Sequence, residues 1–199
     1  MAETIFYFDL GSPFAYLSAE RLDEVLSRSV VWQPVSLGAL FKLNGRASWA
    51  LGGADSRGAG IAEVERRAQC YGLELVRWPD PWPTSYLYAM RATTYAFQVG
   101  RGREFTIQAF RHAFAQGRDL AIAENVLQVA EQVGLDREAV DQATRDPEIK
   151  LALRSATDAA HARGVFGVPT VVVGDELFWG DDRLQAAAAA HELIGEGPD

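Results

Sequence analysis

A serine-proline pair stands where an extended run of the chain gives way to a helical one, and that junction constrains the fold more than any other feature. Thr4-Ile5-Phe6-Tyr7-Phe8 is β-branched and aromatic, which reads as a strand. Leu17, Leu22, Val25 and Leu26 recur at helical spacing and predict a helix over 18–26. Ser12 falls between the two. A serine oxygen suits an N-cap because it accepts an orphan N–H of the first turn, and Pro13 suits the next position because its fixed φ and missing N–H cost nothing there. A second extended run over 30–35 follows, so the first forty residues read as a β-α-β unit with parallel strands and a right-handed crossover. Ser12 and Pro13 serve a plain helix start equally well, which leaves their chemistry open at this point.

The rest of the chain is mostly helical until its last fifth. Apolar periodicity predicts helices over 63–71, 86–99, 104–116, 121–133, 137–145 and 148–162, with Asp146-Pro147 opening the last and Gly134 and Gly164 as stops. Trp78-Pro79-Asp80-Pro81-Trp82-Pro83 is too rich in proline for regular structure and reads as a stiff loop carrying two large rings. Pro169-Thr170-Val171-Val172-Val173, the turn Gly174-Asp175 and Leu177-Phe178-Trp179 make a β-hairpin signal. A final helix begins after Gly180, with Asp181 and Asp182 as cap and N-terminal negative charge. The layout is an α/β core, β-α-β then β-β-α, interrupted by an all-helical insertion of roughly 120 residues, a length within the range of ~100–200 residues of a single domain.

Composition excludes several classes of function. A formal charge of -8, with 19 basic residues scattered among 27 acidic ones, disfavours nucleic acid and anionic membrane as partners. No apolar stretch approaches a membrane span, and the chain opens without a basic, cleavable leader, so a cytoplasmic location is expected. Cys70 is the single cysteine, which excludes cycling through an intramolecular disulfide; a packing role is expected for it. His112, His161 and His191 lie far apart, without acids or cysteine at ligand spacing, so no metal site is expected and each reads as a helix-surface or helix-end residue.

Three motifs in this order, Phe8-Asp9-Leu10-Gly11-Ser12-Pro13-Phe14-Ala15-Tyr16-Leu17, Val165-Phe166-Gly167-Val168-Pro169-Thr170 and Phe178-Trp179-Gly180-Asp181-Asp182-Arg183-Leu184, resemble the DsbA-like thioredoxin superfamily. More narrowly they resemble 2-hydroxychromene-2-carboxylate isomerases and kappa-class glutathione transferases. The resemblance implies a thioredoxin-like subdomain over 1–40 and 164–199 with a helical insertion over 41–163, and a homodimer. It also implies glutathione as cofactor. Ser12 would meet the sulfur, Val168 before a cis Pro169 would pair with the tripeptide backbone, and Trp179, Gly180, Asp181 and Asp182 would hold the γ-glutamyl end. On the substrate side it implies a small aromatic carboxylate, with Lys42 facing the carboxylate and Asn44 as a candidate for the family's asparagine; Trp82 is a candidate wall of an aromatic substrate pocket. Trp49, Trp78 and Phe14 are further candidate walls of an aromatic pocket. The family has Gly-Asn, a basic residue and then prolines there, and the segment Leu43-Asn44-Gly45-Arg46-Ala47-Ser48-Trp49 does not match that pattern in register.

The physical chemistry suits that reading. A free thiol titrates at about 8.5, and lowering it by about two units requires about 2.7 kcal/mol of preference for the anion. A helix N-terminus contributes ~0.3–1 kcal/mol, up to ~2 when partly buried, and a hydrogen bond from Ser12 to a charged sulfur about 1.5–3 kcal/mol. Together they suffice. The leading expectation is therefore a glutathione-dependent isomerase acting by reversible thiolate addition to an aromatic ring-cleavage product. The alternatives are a kappa-like transferase that conjugates or reduces another electrophile, and a redox-inactive module that binds extended peptides along Val168-Pro169.

Overall fold

The computed structural model describes residues 3–26 and 30–195, so the outermost residues of the expected 1–40 and 164–199 segments lie outside the described residues. β1 (Thr4–Phe8) is buried along its whole length, which a strand achieves only in the middle of a sheet covered on both faces. It pairs in parallel with β2 (Val31–Pro34), in the register Ile5 to Val31 and Phe8 to Pro34. On its other side it pairs antiparallel with β3 (Thr170–Val173), which turns into β4 (Glu176–Trp179). The sheet order is β2-β1-β3-β4.

Between β1 and β2 the expected single helix is two short ones, α1 (Pro13–Ala19) and α2 (Leu22–Val25). α1 closes with a bond from the Arg21 N–H to the Ser18 carbonyl at 3.1 Å, and the Arg21 guanidinium lies 3.6 Å from the centre of the Tyr71 ring. After β2 come α3 (Leu37–Leu43), a short 3₁₀ turn at Trp49–Leu51, and α4 (Ala54–Cys70). α4 begins well before the expected residue 63. α5 (Leu87–Gln98), α6 (Gly102–Phe114), α7 (Ala123–Gln132), α8 (Arg137–Arg145) and α9 (Pro147–Ala162) lie within a few residues of the expected helices. Asp146 caps α9 through the Glu148 N–H at 2.7 Å, and Gly164 follows it with a φ of 86° that a β-carbon would strain. α10 (Leu184–Gly195) completes the chain after a 3₁₀ turn at Asp181–Arg183.

The period of two along β1 divides the core. Phe6 and Phe8 face the side packed by Tyr16, Leu17, Phe110, Phe114 and Leu184, with Trp32 edge-on to Phe6 at 5.1 Å. Each fully buried phenylalanine contributes about 1.5–3 kcal/mol. Ile5 and Tyr7 face the other side, where Val35, Leu40, Ala160 and Val172 meet them. α9 supplies Ala160 to that face, so the last helix before the hairpin covers the sheet. α3 crosses the expected 40/41 subdomain boundary without a break.

Among the described residues no helix is long and apolar enough to cross a membrane. Cys70 is exposed at the C-terminus of α4 and does not pack as expected. His112 and His191 are likewise corrected: both are buried, His112 against Gln132 at 3.1 Å and His191 against Thr4 at 2.6 Å.

Candidate functional site

Ser12 ends the loop that leaves the C-terminal edge of β1, and its backbone is extended, with φ -98° and ψ 111°. Its N–H donates to the Asp9 carbonyl at 3.0 Å, and its hydroxyl oxygen accepts from the Ala15 N–H at 3.2 Å, the N-cap bond of α1. The hydroxyl proton points to the Val168 carbonyl at 3.3 Å, longer than an ordinary O–H···O bond, so little is lost when it turns to a better acceptor. Val168-Pro169 is cis. The hydroxyl and the Val168 backbone thus stand side by side although 156 residues separate them.

A cavity of 330 Å³ opens on this pair. Phe14, Trp49, Trp82 and Phe166 wall it, and among the described residues Arg46 is the charged one in its lining. The Arg46 guanidinium lies 5.0 Å from the Phe166 ring centre and 5.5 Å from that of Trp179, close enough for both rings to stabilise the cation. Trp49 is held by a close approach: a β-carbon on Gly60 of α4 would lie 2.2 Å from its ring. Gly167 serves the other wall in the same way, since a β-carbon there would stand 2.9 Å from the Trp179 Nε1.

A second hollow of 290 Å³ shares Phe14, Val168 and Trp179 with the first and ends on Arg67, Asp181, Asp182 and Arg183. The two make one cleft running past Val168 from an aromatic end to a charged end. Asp181 is only 1% exposed and both its oxygens are taken, one by the Arg67 Nη1 at 2.7 Å and the other by the Tyr71 hydroxyl at 2.9 Å. Burial pushes its carboxyl above the ordinary value, opposed by the Tyr71 bond and by Arg67. Asp182 is 57% exposed and pairs with the same guanidinium at 3.6 Å, so it is the carboxylate at this end that faces solvent.

Beneath Ser12 lies a buried acid. Asp9 takes the Gly11 N–H on Oδ1 and the Leu37 N–H on Oδ2, both at 2.7 Å, and burial pushes its carboxyl up to about 6 against those two bonds. Because that value lies above the unfolded one of 3.8, Asp9 favours the fold below about pH 4 and loses that contribution as pH rises through 6. Held ionised at neutral pH it costs the fold about 3 kcal/mol.

Residues 3–191 match the family described as the DSBA-like thioredoxin domain. The chain belongs to that family. It is 31% identical over 196 residues to a 2-hydroxychromene-2-carboxylate isomerase from Sphingobium xenophagum, covering 92% of this chain and 95% of that protein. A 2-hydroxychromene-2-carboxylate isomerase from Pseudomonas putida is 28% identical over 90% of this chain and 89% of its own length. Among solved structures, a 2-hydroxychromene-2-carboxylate isomerase superposes with a TM-score of 0.84 at 24% identity, over 96% of this chain and 95% of that one. The thioredoxin-like fold with its helical excursion is therefore that of the DSBA-like family, as the three motifs imply.

Within this family member, the cleft brings together Ser12, Val168, Pro169, Trp179, Gly180, Asp181, Asp182 and Trp82 of the residues singled out in the sequence. Two others lie apart. Lys42 is exposed and lines neither hollow, and the Asn44 amide turns back to donate to the Leu40 carbonyl at 2.8 Å. Both are directed away because α3 runs on to Leu43, leaving Arg46 as the cation that reaches the cavity. Trp78 also stays outside, packed on Trp82 at 4.6 Å. Asp181 and Asp182 do not cap the last helix: Gly180 precedes the 3₁₀ turn and no side chain caps it. Arg67 and Asp9 escaped sequence reasoning. Arg67 shows only a helical pairing with Glu63 in the sequence, whereas an acid directly after an apolar strand was a signal that Asp9 is buried.

Proposed function

We propose that this protein is a glutathione-dependent isomerase of an aromatic ring-cleavage product, with a substrate of the 2-hydroxychromene-2-carboxylate kind. The relatives' names support the isomerase class. The observation that carries the thiol dependence is the Ser12 hydroxyl, poised on a weak bond to the Val168 carbonyl at the point where the aromatic and charged halves of the cleft meet.

The residues present fit the tripeptide. Asp182 offers a carboxylate for the α-ammonium of a γ-glutamyl group, and Arg67, whose Nε and Nη1 are held by Glu63 and Asp181, offers its Nη2 to the α-carboxylate. The Val168 N–H and C=O offer the middle of the tripeptide a short strand pairing. Bound here, glutathione would supply a nucleophilic sulfur able to add reversibly to a conjugated double bond. Ser12 holds the charge on that sulfur by donating its hydroxyl proton. Arg46 anchors the carboxylate of the acceptor, in place of the lysine expected from the resemblance. Phe14, Trp49 and Trp82 exclude water from the flat ring, and a cavity of this size admits one small bicyclic acid.

Titration of the tryptophan fluorescence with reduced glutathione tests the thiol half. Trp179 lines both hollows, so saturable quenching is expected, lost in Trp179→Phe and weakened about tenfold in affinity by Asp182→Ala. Absence of any response at millimolar glutathione would remove glutathione from the proposal.

A further inference from the structure

Ser12 and Arg46 are 34 positions apart in sequence and sit on different elements, yet a two-sided site needs their separation fixed. A continuous series of bonds does this. The Ser12 N–H is tied to the Asp9 carbonyl, and the Gly11 N–H to Asp9 Oδ1. The other carboxylate oxygen takes the N–H of Leu37, the first residue of α3, whose Ser36 N–H is fixed on Thr157 of α9 at 2.9 Å. At the far end of α3 the Arg46 N–H donates to the Phe41 carbonyl at 2.9 Å.

We propose that Asp9 is a positioning residue whose carboxylate latches the turn carrying Ser12 to the helix that presents Arg46. The inference rests on the assignment of Ser12 to the thiol and Arg46 to the acceptor. An ionised carboxylate suits a latch between two N–H groups because it accepts on both oxygens, whereas a protonated one gives up an acceptor to an O–H. Asp9 is 7% exposed and borders a further cavity of 450 Å³ that shares Gly11, Leu37 and Phe41 with the acceptor cavity, so protons reach it. Its surroundings are neutral. The Met90 Sδ accepts from the Leu10 N–H on the α5 side, Thr157 stands on α9, and among the described residues the titratable group packed against the turn is the Tyr86 phenol, which burial holds well above its ordinary value. Beyond Tyr86, Asp119 is occupied by Thr84 at 2.7 Å. The latch therefore opens as pH falls through about 6.

The bare protein supplies the first test. In ¹H–¹⁵N spectra the Gly11 and Leu37 amide protons should titrate together with one midpoint near 6, and neither should do so in Asp9→Asn. The second test removes a single N–H. Proline is tolerated at the first position of a helix, and Ser36 before it is extended, with ψ 107°, so Leu37→Pro keeps α3 while deleting the bond to Oδ2. Relative to Leu37→Ala, which removes the side chain alone, Leu37→Pro should raise the acceptor KM about tenfold while the glutathione Kd moves less than about threefold. Amides that titrate independently, or Leu37→Pro and Leu37→Ala variants with the same acceptor KM, would overturn the latch. Neither spectral result depends on glutathione, so failure of the thiol assignment would be seen separately in the fluorescence titration.

Discussion

Ser12→Ala is expected to lower kcat/KM by about 10- to 100-fold, because a hydrogen bond to a charged acceptor contributes about 1.5–3 kcal/mol and each 1.4 kcal/mol is a factor of ten. The loss should be visible at its source: the pKa of the bound thiol, followed by the ultraviolet absorbance of the thiolate, should rise by about one to two units. The same substitution removes the N-cap bond to Ala15, costing about 0.5–2 kcal/mol of stability. Ser12→Asp separates the two effects. An aspartate caps as well as a serine, so the melting temperature should recover, but its charge opposes a thiolate and activity should stay lost.

Arg46→Ala should raise the acceptor KM by about tenfold or more, the value of one charged hydrogen bond, with Arg46→Lys recovering part of it. Glutathione affinity should change little, since the charged end of the cleft is served by Arg67 and Asp182. The partition between the two constants decides the assignment. If the glutathione Kd moves and the acceptor KM does not, Arg46 reads the carboxylate of the thiol's glycine and the acceptor is held by the aromatic walls alone. Lys42→Ala, on the exposed side of α3, should leave both constants unchanged.

These two residues mark what was and was not legible in the chain. Ser12 was legible because a cap, a proline and a strand-helix junction are local patterns, and Val168-Pro169-Thr170 because it opens the hairpin. The sheet followed from the same signals, and the helices of the insertion from their apolar periodicity. Arg46 was not legible. It lies three residues beyond α3, and whether it or Lys42 meets the cavity depends on where that helix stops, which the sequence around Asn44 does not mark with a proline. Arg67 and Asp181 are 114 residues apart and meet only because α4 crosses the turn before α10, so Asp181 read as a ligand when the fold already occupies both its oxygens. Asp9 stands in the first motif with no local sign of a partner, since only the approach of α3 turns it into a bridge. The break between α1 and α2 has no glycine or proline to announce it; there the Arg21 N–H bonds the Ser18 carbonyl and its guanidinium lies over Tyr71, a tertiary contact.

The most direct test of the account is the ratio of glutathione consumed to substrate converted, measured by chromatography on a 2-hydroxychromene-2-carboxylate with the wild-type protein. A thiol that is held by Ser12, adds and leaves again predicts many turnovers to the ring-opened trans isomer for each glutathione present, none after its removal, and no loss of free thiol. One glutathione consumed per substrate converted would contradict the isomerase and make the protein a transferase, and turnover undiminished without thiol would contradict the role given to Ser12.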